Sequence, residues 1–97
     1  MNVGQLAIDD LEVRFPIDKI SFGLVQPGGS TEYRDVAHGV WPYGAFQFVS
    51  GGTTIHQPVI DWNDRPLDGA AFTYAIQLLK RDDGLLYIRL WKVTRDQ

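Results

Sequence analysis

The chain has 97 residues, a formal net charge of −3 at neutral pH and no cysteine. This length suits one hydrophobic core and therefore one domain, while the absence of thiols excludes disulfides, thiolate metal sites and cysteine catalysis. Apolar runs are much shorter than the roughly 20 residues that cross a bilayer. Lys and Arg are interspersed with carboxylates, so we predict binding to neither membranes nor nucleic acids.

The first ten residues do not combine a basic region with a long apolar stretch, so no secretory signal is predicted. Synthesis in a reducing cytoplasm is expected. We expect residues 1–10 to form an N-terminal arm that becomes ordered on a neighbouring molecule, and residues 11–97 to form the single β domain. Such a small domain is only marginally stabilised by its own core, which favours self-association or docking on a larger assembly.

Apolar residues recur mostly at every second position, and Gly and Pro interrupt the chain too often for a helix. In the first such segment Leu11, Val13 and Phe15 alternate with Glu12 and Arg14, which predicts a strand with one buried face. Strands are predicted in this way at residues 11–15, 19–25, 31–36, 45–49, 58–62, 71–80 and 85–94. About seven or eight short antiparallel strands without a helix predict an all-β fold, a small β-sandwich or jelly roll.

Turn signals separate these strands. Residues 26–30 contain Pro27 and two glycines, and residues 50–52 form a second Gly-rich turn. Residues 38–44 are aromatic but interrupted by Gly and Pro, which predicts a packed loop. Residues 63–69 are predicted to form a polar loop.

The clearest local pattern is a hairpin formed by the last two predicted strands. If Asp82, Asp83 and Gly84 form a three-residue loop, Arg81 faces Leu85 and the strand register follows. One face of the hairpin then carries apolar side chains directed towards the domain's own core. These core-facing residues are Phe72, Tyr74, Ile76, Leu78, Leu86, Ile88 and Leu90.

The opposite face of this hairpin is also largely apolar, although a solvent-facing surface usually carries mostly charged residues. The register places Leu79 beside Tyr87, Gln77 beside Arg89 and Ala75 beside Trp91, with Val93 at the end. One interpretation is that the N-terminal segment or the loop around Trp41 covers this face. The other is a subunit interface, because interfaces favour aromatic residues and Arg at their centres. The predicted interface comprises Ala75, Gln77, Leu79, Tyr87, Arg89, Trp91 and Val93.

No pattern of catalytic or metal-ligating residues is present. His38 and His56 do not have metal-ligand spacing, and Ser50, His56 and Asp61 lack the surroundings of a nucleophile elbow. Residues 61–69 are rich in oxygen donors, but Arg65 occupies a position where a calcium loop of the EF-hand type requires an acceptor. We therefore predict no enzyme activity, no cofactor and no metal site.

An alternative ligand-binding patch is suggested by three aromatic residues near polar side chains, Trp41, Tyr43 and Trp62. Aromatic faces stack on sugar rings, while Asp and Asn bind hydroxyl groups. Packing in the core or in an interface is the competing interpretation, and we favour it because large aromatic side chains contribute most of their binding energy by burial.

Residues 58–66 (PVIDWNDRP) followed by residues 71–77 (AFTYAIQ) resemble a pattern of β-rich modules in phage virions. In that pattern a short apolar strand leads to an Asp-x-Pro corner, and a Thr-Tyr-x-x-Gln strand follows. The matched positions are Pro66 at the corner and Tyr74, Ile76 and Gln77 in the strand. The resemblance covers about a fifth of the chain, and it implies a jelly-roll-like fold, usually trimeric, used for capsid decoration or as the head of a tail fibre.

The sequence thus leads to the hypothesis of a non-enzymatic bacteriophage structural protein, a decoration or cement protein that stabilises the capsid shell. Its expected partners are further copies of itself, forming a homotrimer, and a major capsid or other virion protein. The expected location is the virion, after synthesis in the host cytoplasm. The alternative hypothesis is a binding module, either a carbohydrate-binding head of a tail fibre or a small inhibitor of a host protein.

Overall fold

The computed structural model describes all 97 residues and contains six β-strands and no helix. An all-β fold is therefore confirmed, with six strands instead of the expected seven or eight. The strands are β1 (Ile8–Arg14), β2 (Lys19–Val25), β3 (Ala45–Ser50), β4 (Thr53–Gln57), β5 (Phe72–Lys80) and β6 (Leu86–Arg95).

Four of the strands form one antiparallel sheet in the order β2-β1-β3-β4. The turn between β3 and β4 consists of Gly51 and Gly52, with φ values of 57° and 77°. Two consecutive positive φ angles are what a tight two-residue hairpin turn requires, so two glycines suit this position.

An irregularity in β1 changes which side chains face the core. Asp10 has a φ of 50°, and the pairing of β1 with β2 shifts register between Ile8 and Leu11. Ile8 and Leu11 are both buried although they are three positions apart in the strand. A simple two-residue alternation would place them on opposite faces, so the bulge reorients the strand.

The other two strands, β5 and β6, form a separate antiparallel sheet. Apolar side chains from both sheets meet in one core, which has Phe48, Ile8 and Ile88 as its most deeply buried apolar members. The complete core is Ile8, Leu11, Val13, Phe15, Ile20, Val25, Phe46, Phe48, Ile76, Leu78 and Ile88.

At one edge the N-terminal residues connect the two sheets. The backbone of residues 1–3 pairs in parallel with β5, because Val3 donates to the carbonyl of Ile76 and Ile76 donates to that of Met1, both at 2.8 Å. The fully buried side chain of Asn2 donates to the carbonyl of Val25 at the end of β2, at 3.1 Å. In the structure these first residues thus pack against their own chain, and residue 10 lies inside β1.

Two predicted strands are not strands in the structure. Residues 31–36 are a loop in which Glu32, Tyr33, Arg34 and Asp35 are exposed, and residues 58–62 are a loop in which Ile60 is 98% exposed. The chain instead returns from β3 through β4, which begins directly after the turn at Gly52. Pro58 has no backbone N–H to continue the ladder, so β4 ends before it. The first strand in the virion-module pattern is therefore absent here, whereas the second, β5, is present.

Candidate functional site: the outer face of the C-terminal hairpin

The loop between β5 and β6 has the predicted three-residue geometry. Arg81 donates to the carbonyl of Leu85 at 2.8 Å, and Gly84 donates to that of Arg81 at 2.9 Å. Gly84 has a φ of 89°, and the side chain of Asp83 accepts from the backbone N–H of Leu85 at 3.1 Å. The left-handed conformation that Gly adopts without strain therefore closes the loop and sets the register of the hairpin.

The predicted register holds from the loop as far as Ile76. Leu79 faces Tyr87, Gln77 faces Arg89 and Ile76 faces Leu90. The expected pairs are therefore confirmed in this part of the hairpin.

Beyond Ile76 a bulge changes the predicted neighbours. The register shifts so that Ala75 faces Lys92 and Tyr74 faces Val93, which leaves Trp91 as the extra residue of β6. The expected pair of Ala75 and Trp91 is wrong for this reason. Val93 lies on the same side as the core-facing Tyr74, and Lys92 joins the opposite side in its place.

We use the name outer face for the side of the hairpin directed away from the shared core. Trp91 is 60% exposed there, and the guanidinium carbon of Arg89 lies 5.2 Å from the centre of its ring. This geometry is a cation–π contact, which holds both side chains in place at the surface. Leu79 and Tyr87 beside them are half-buried. The outer face consists of Ala75, Gln77, Leu79, Tyr87, Arg89, Trp91 and Lys92.

The chain's own segments cover only one part of this outer face. The N-terminal segment reaches Gln77, since a Cβ added at Gly4 would lie 2.9 Å from the Cβ of Gln77. The loop around Trp41 contacts the other side of the hairpin, where the hydroxyl of Tyr74 donates to the carbonyl of Trp41. Arg89 and Trp91 remain exposed.

Charge is unevenly distributed between the hairpin and the rest of the molecule. β5 and β6 carry four cationic side chains and no carboxylate, whereas the whole chain has nine Lys and Arg and twelve Asp and Glu. The four cations form no salt bridge within the chain. They are Lys80, Arg89, Lys92 and Arg95. The hairpin is thus a cationic and aromatic element in an acidic protein.

The three aromatic residues of the alternative patch do come together. The ring centres of Trp41 and Trp62 are 5.5 Å apart in an edge-on arrangement, and Tyr43 stacks on Trp62 at 5.5 Å. All three are half-buried, and the two Trp side chains pack against the core. Beside them, the amide of Asn63 donates to the carboxylate of Asp61 at 2.9 Å. The arrangement combines an aromatic surface with oriented polar groups.

The possible catalytic residues are not assembled into one site. His38 bonds Asp18 twice, through its backbone N–H at 3.0 Å and its Nδ1 at 3.1 Å. His56 faces Gln47 across the β3–β4 pair, and Ser50 faces Thr53. No hydrogen bond joins Ser50, His56 or Asp61 to another of the three. Three or more potential metal-ligating side chains are nowhere grouped together, and no helix is long and apolar enough to cross a membrane.

The site residues predicted from the sequence do not include two side-chain amides that connect the sheets. Asn2 bridges the N-terminal segment and β2, and Gln57 bonds the edge of β6 at Ile88. Neither amide belongs to a recognisable sequence motif, because its hydrogen-bond partners lie in segments that are distant in the chain. Lys92 was also not predicted to lie on the outer face, because the alternation of apolar residues gives no sign of the bulge that turns its side chain outward.

Comparisons of the chain with protein-family models, curated proteins and solved structures find no match.

Proposed function

We propose that this protein is a non-enzymatic structural protein that self-associates through the outer face of its C-terminal hairpin. The observation that carries the proposal is the exposed Arg89–Trp91 pair beside Tyr87 and Leu79. Trp, Tyr and Arg are the residues most enriched at the centres of protein interfaces. An exposed cation–π pair on an ordered strand has already lost much of its conformational freedom, which reduces the entropic cost of binding.

The small interior of the protein supports self-association. Only 14 of the 97 residues are buried, so the domain's own core contributes little apolar burial for a chain of this length. A second copy seated on the outer face would bury the ring of Trp91 and so stabilise the fold by mass action.

The resemblance to phage virion modules supports a more specific proposal. We propose a six-stranded sandwich of the jelly-roll type that assembles as a homotrimer on a major capsid or other virion protein, as a decoration protein of the shell. It would be made in the host cytoplasm and incorporated into the virion. Detection of the protein in purified particles of the virus that encodes it tests this location, and its absence from them would exclude the decoration role.

Self-association is tested by light scattering coupled to size exclusion for the wild type, Trp91→Glu and Ile60→Glu. Ile60 is a matched control because it is an exposed apolar residue outside the outer face. We expect a trimer for the wild type and for Ile60→Glu, and a folded monomer for Trp91→Glu, with folding checked by circular dichroism. A wild-type monomer at the highest attainable concentration, or a trimer that survives Trp91→Glu, would contradict the proposal.

A second candidate function is carbohydrate binding, as in the head of a tail fibre. The observation that favours it is the meeting of Trp41, Tyr43 and Trp62 next to the hydrogen-bonded Asp61 and Asn63. A glycan array probed with the wild type, Tyr43→Ala and Trp91→Ala tests this function. Binding that is lost in Tyr43→Ala and kept in Trp91→Ala would support it, and an array without a wild-type signal would remove it.

A further inference from the structure

A cavity of about 720 Å³ lies between the four-stranded sheet and β5. The long connection from β2 to β3 covers it with residues 30–37, 39 and 40, and the segment before β5 completes its wall. This volume lies in the range of about 300–1,000 Å³ that small-molecule sites occupy. The cavity is distinct from the outer face, because none of the outer-face residues lines it.

Apolar side chains from both sheets form the inner wall of this cavity. Leu11, Val13 and Phe46 contribute from the four-stranded sheet, and Tyr74 and Ile76 contribute from β5. No buried side-chain nitrogen or oxygen in the protein lacks a hydrogen-bond partner. Two thirds of the residues lining the cavity are hydrophobic, so a molecule held there gains affinity mainly by apolar burial.

The hydroxyl of Tyr74, one of the residues lining the cavity, is already engaged in a hydrogen bond. It donates to the carbonyl of Trp41. Burial raises the pKa of Tyr74 well above its ordinary value, so the phenol stays neutral at physiological pH. This residue presents its ring, and not a charge, to the cavity.

Carboxylates outnumber cations around the rim of the cavity. Asp18, Glu32 and Asp35 lie there together with Arg34 and the N-terminal ammonium of Met1. The Arg34 guanidinium is 3.8 Å from Glu32, and its central carbon is 5.8 Å from the ring centre of Phe22. A ligand with a carboxylate or sulfate head would meet net repulsion at this rim.

The covering loop is held by few interactions, which provides a route of entry. It contains no strand pairing between residues 30 and 40. Hydrogen bonds tie it down at three points: Tyr33 donates to Asp96 at 2.6 Å, the backbone of His38 donates to Asp18 at 3.0 Å, and the backbone of Leu67 donates to the carbonyl of Val40 at 2.7 Å. None of these bonds is part of a strand pairing, so the loop can open without breaking either sheet.

We propose that this cavity binds a small uncharged apolar molecule. The proposal does not depend on self-association, because the cavity and the outer face share no residue.

The test is a fluorescence titration of the purified protein with the neutral probe N-phenyl-1-naphthylamine, followed by competition. We expect saturable binding of one probe per chain, displaced by 1-dodecanol but not by dodecanoate at the same submicellar concentration. Ala71→Phe and Val40→Phe place a phenyl ring in the lining of the cavity and should weaken probe binding by at least about tenfold. Ala7→Phe is the matched control, since Ala7 is exposed and does not line the cavity.

The proposal would be overturned by no saturable binding by the folded wild type, by equal displacement by dodecanoate, or by unchanged binding in both Phe variants. Using two variants keeps the test decisive if one of them fails to fold. Trp91→Glu should bind the probe as the wild type does. Binding that requires the trimer would place the site between subunits and would also overturn the proposal.

Discussion

The side-chain amide of Gln57 on β4 forms hydrogen bonds with both backbone groups of Ile88 on β6. Its Nε2 donates to the Ile88 carbonyl at 2.6 Å, and its Oε1 accepts from the Ile88 N–H at 2.8 Å. β6 has only one strand neighbour, so this amide satisfies part of an otherwise open edge. An edge occupied in this way is less available for uncontrolled pairing with other chains.

Replacing Gln57 with Ala should destabilise the protein by about 2–4 kcal/mol, because both backbone groups of Ile88 lose their partner. Equilibrium unfolding in urea measures this loss, and Gln5→Ala, at an exposed position, is the control. A change below about 0.5 kcal/mol would show that water replaces the amide without cost.

Replacing Asn2 with Asp should destabilise the protein strongly at neutral pH, although the shape of the side chain is unchanged. The amide Nδ2 of Asn2 donates to the carbonyls of Leu6 and Val25, whereas a carboxylate would repel both. We expect a loss of about 3 kcal/mol or more, since the charge would be buried and unpaired.

The same urea measurement at lower pH provides the control for the Asn2→Asp variant. A protonated carboxyl group can again donate one hydrogen bond, so the deficit relative to the wild type should shrink as the pH falls. A deficit independent of pH would contradict this explanation.

Asp96 should contribute stability that disappears in acid. Hydrogen bonds from Thr73 and Tyr33 hold the pKa of Asp96 below its ordinary value of 3.8. A carboxylate with a depressed pKa in the folded state stabilises the protein above the unfolded-state pKa, and this stability is lost as the pH falls through the folded-state value.

Titration of the Asp96 carboxyl carbon by NMR checks this assignment. Tyr33→Phe should raise the pKa of Asp96 towards its ordinary value, and Tyr87→Phe, whose hydroxyl is on a different part of the hairpin, should leave it unchanged. An equal pKa for Asp96 in the wild type and Tyr33→Phe would show that the Tyr33 bond is not maintained in solution.

Gly84→Ala should destabilise the hairpin by about 1 kcal/mol, because its φ of 89° strains any residue with a Cβ. Steric contact is not the reason, since a Cβ at this position meets only the side-chain end of Lys80, at 3.9 Å. Asp82→Ala in the same loop is the control. If both substitutions have the same effect on the melting temperature, backbone conformation does not determine the loop.

The local pattern predicts some elements of this protein closely. Lys19–Val25 has the same bounds in sequence and structure, and the loop at Gly84 predicts the four pairs of the hairpin from Leu79↔Tyr87 to Ile76↔Leu90. These features depend on neighbours in sequence, that is, on alternation and on a residue that tolerates a positive φ.

Local patterns did not predict the features that depend on pairing between distant segments. Residues 31–36 alternate enough to predict a strand but have no strand partner, whereas Thr53–Gln57 forms one because the glycine turn folds it back onto β3. A strand needs a neighbouring edge to bond with, and the pattern of one segment does not show whether such an edge exists.

The sequence by itself determined the all-β class, the absence of thiol chemistry and the position of the C-terminal hairpin, because these follow from composition and local periodicity. The tertiary structure alone decided that the bulge at Trp91 turns Lys92 outward and Val93 inward. It also decided that Asn2 and Gln57 connect the two sheets, that Trp41, Tyr43 and Trp62 meet, and that a cavity lies under the β2–β3 connection. Each of these features depends on contacts between residues far apart in the chain, which are specified only when the sheets pack together.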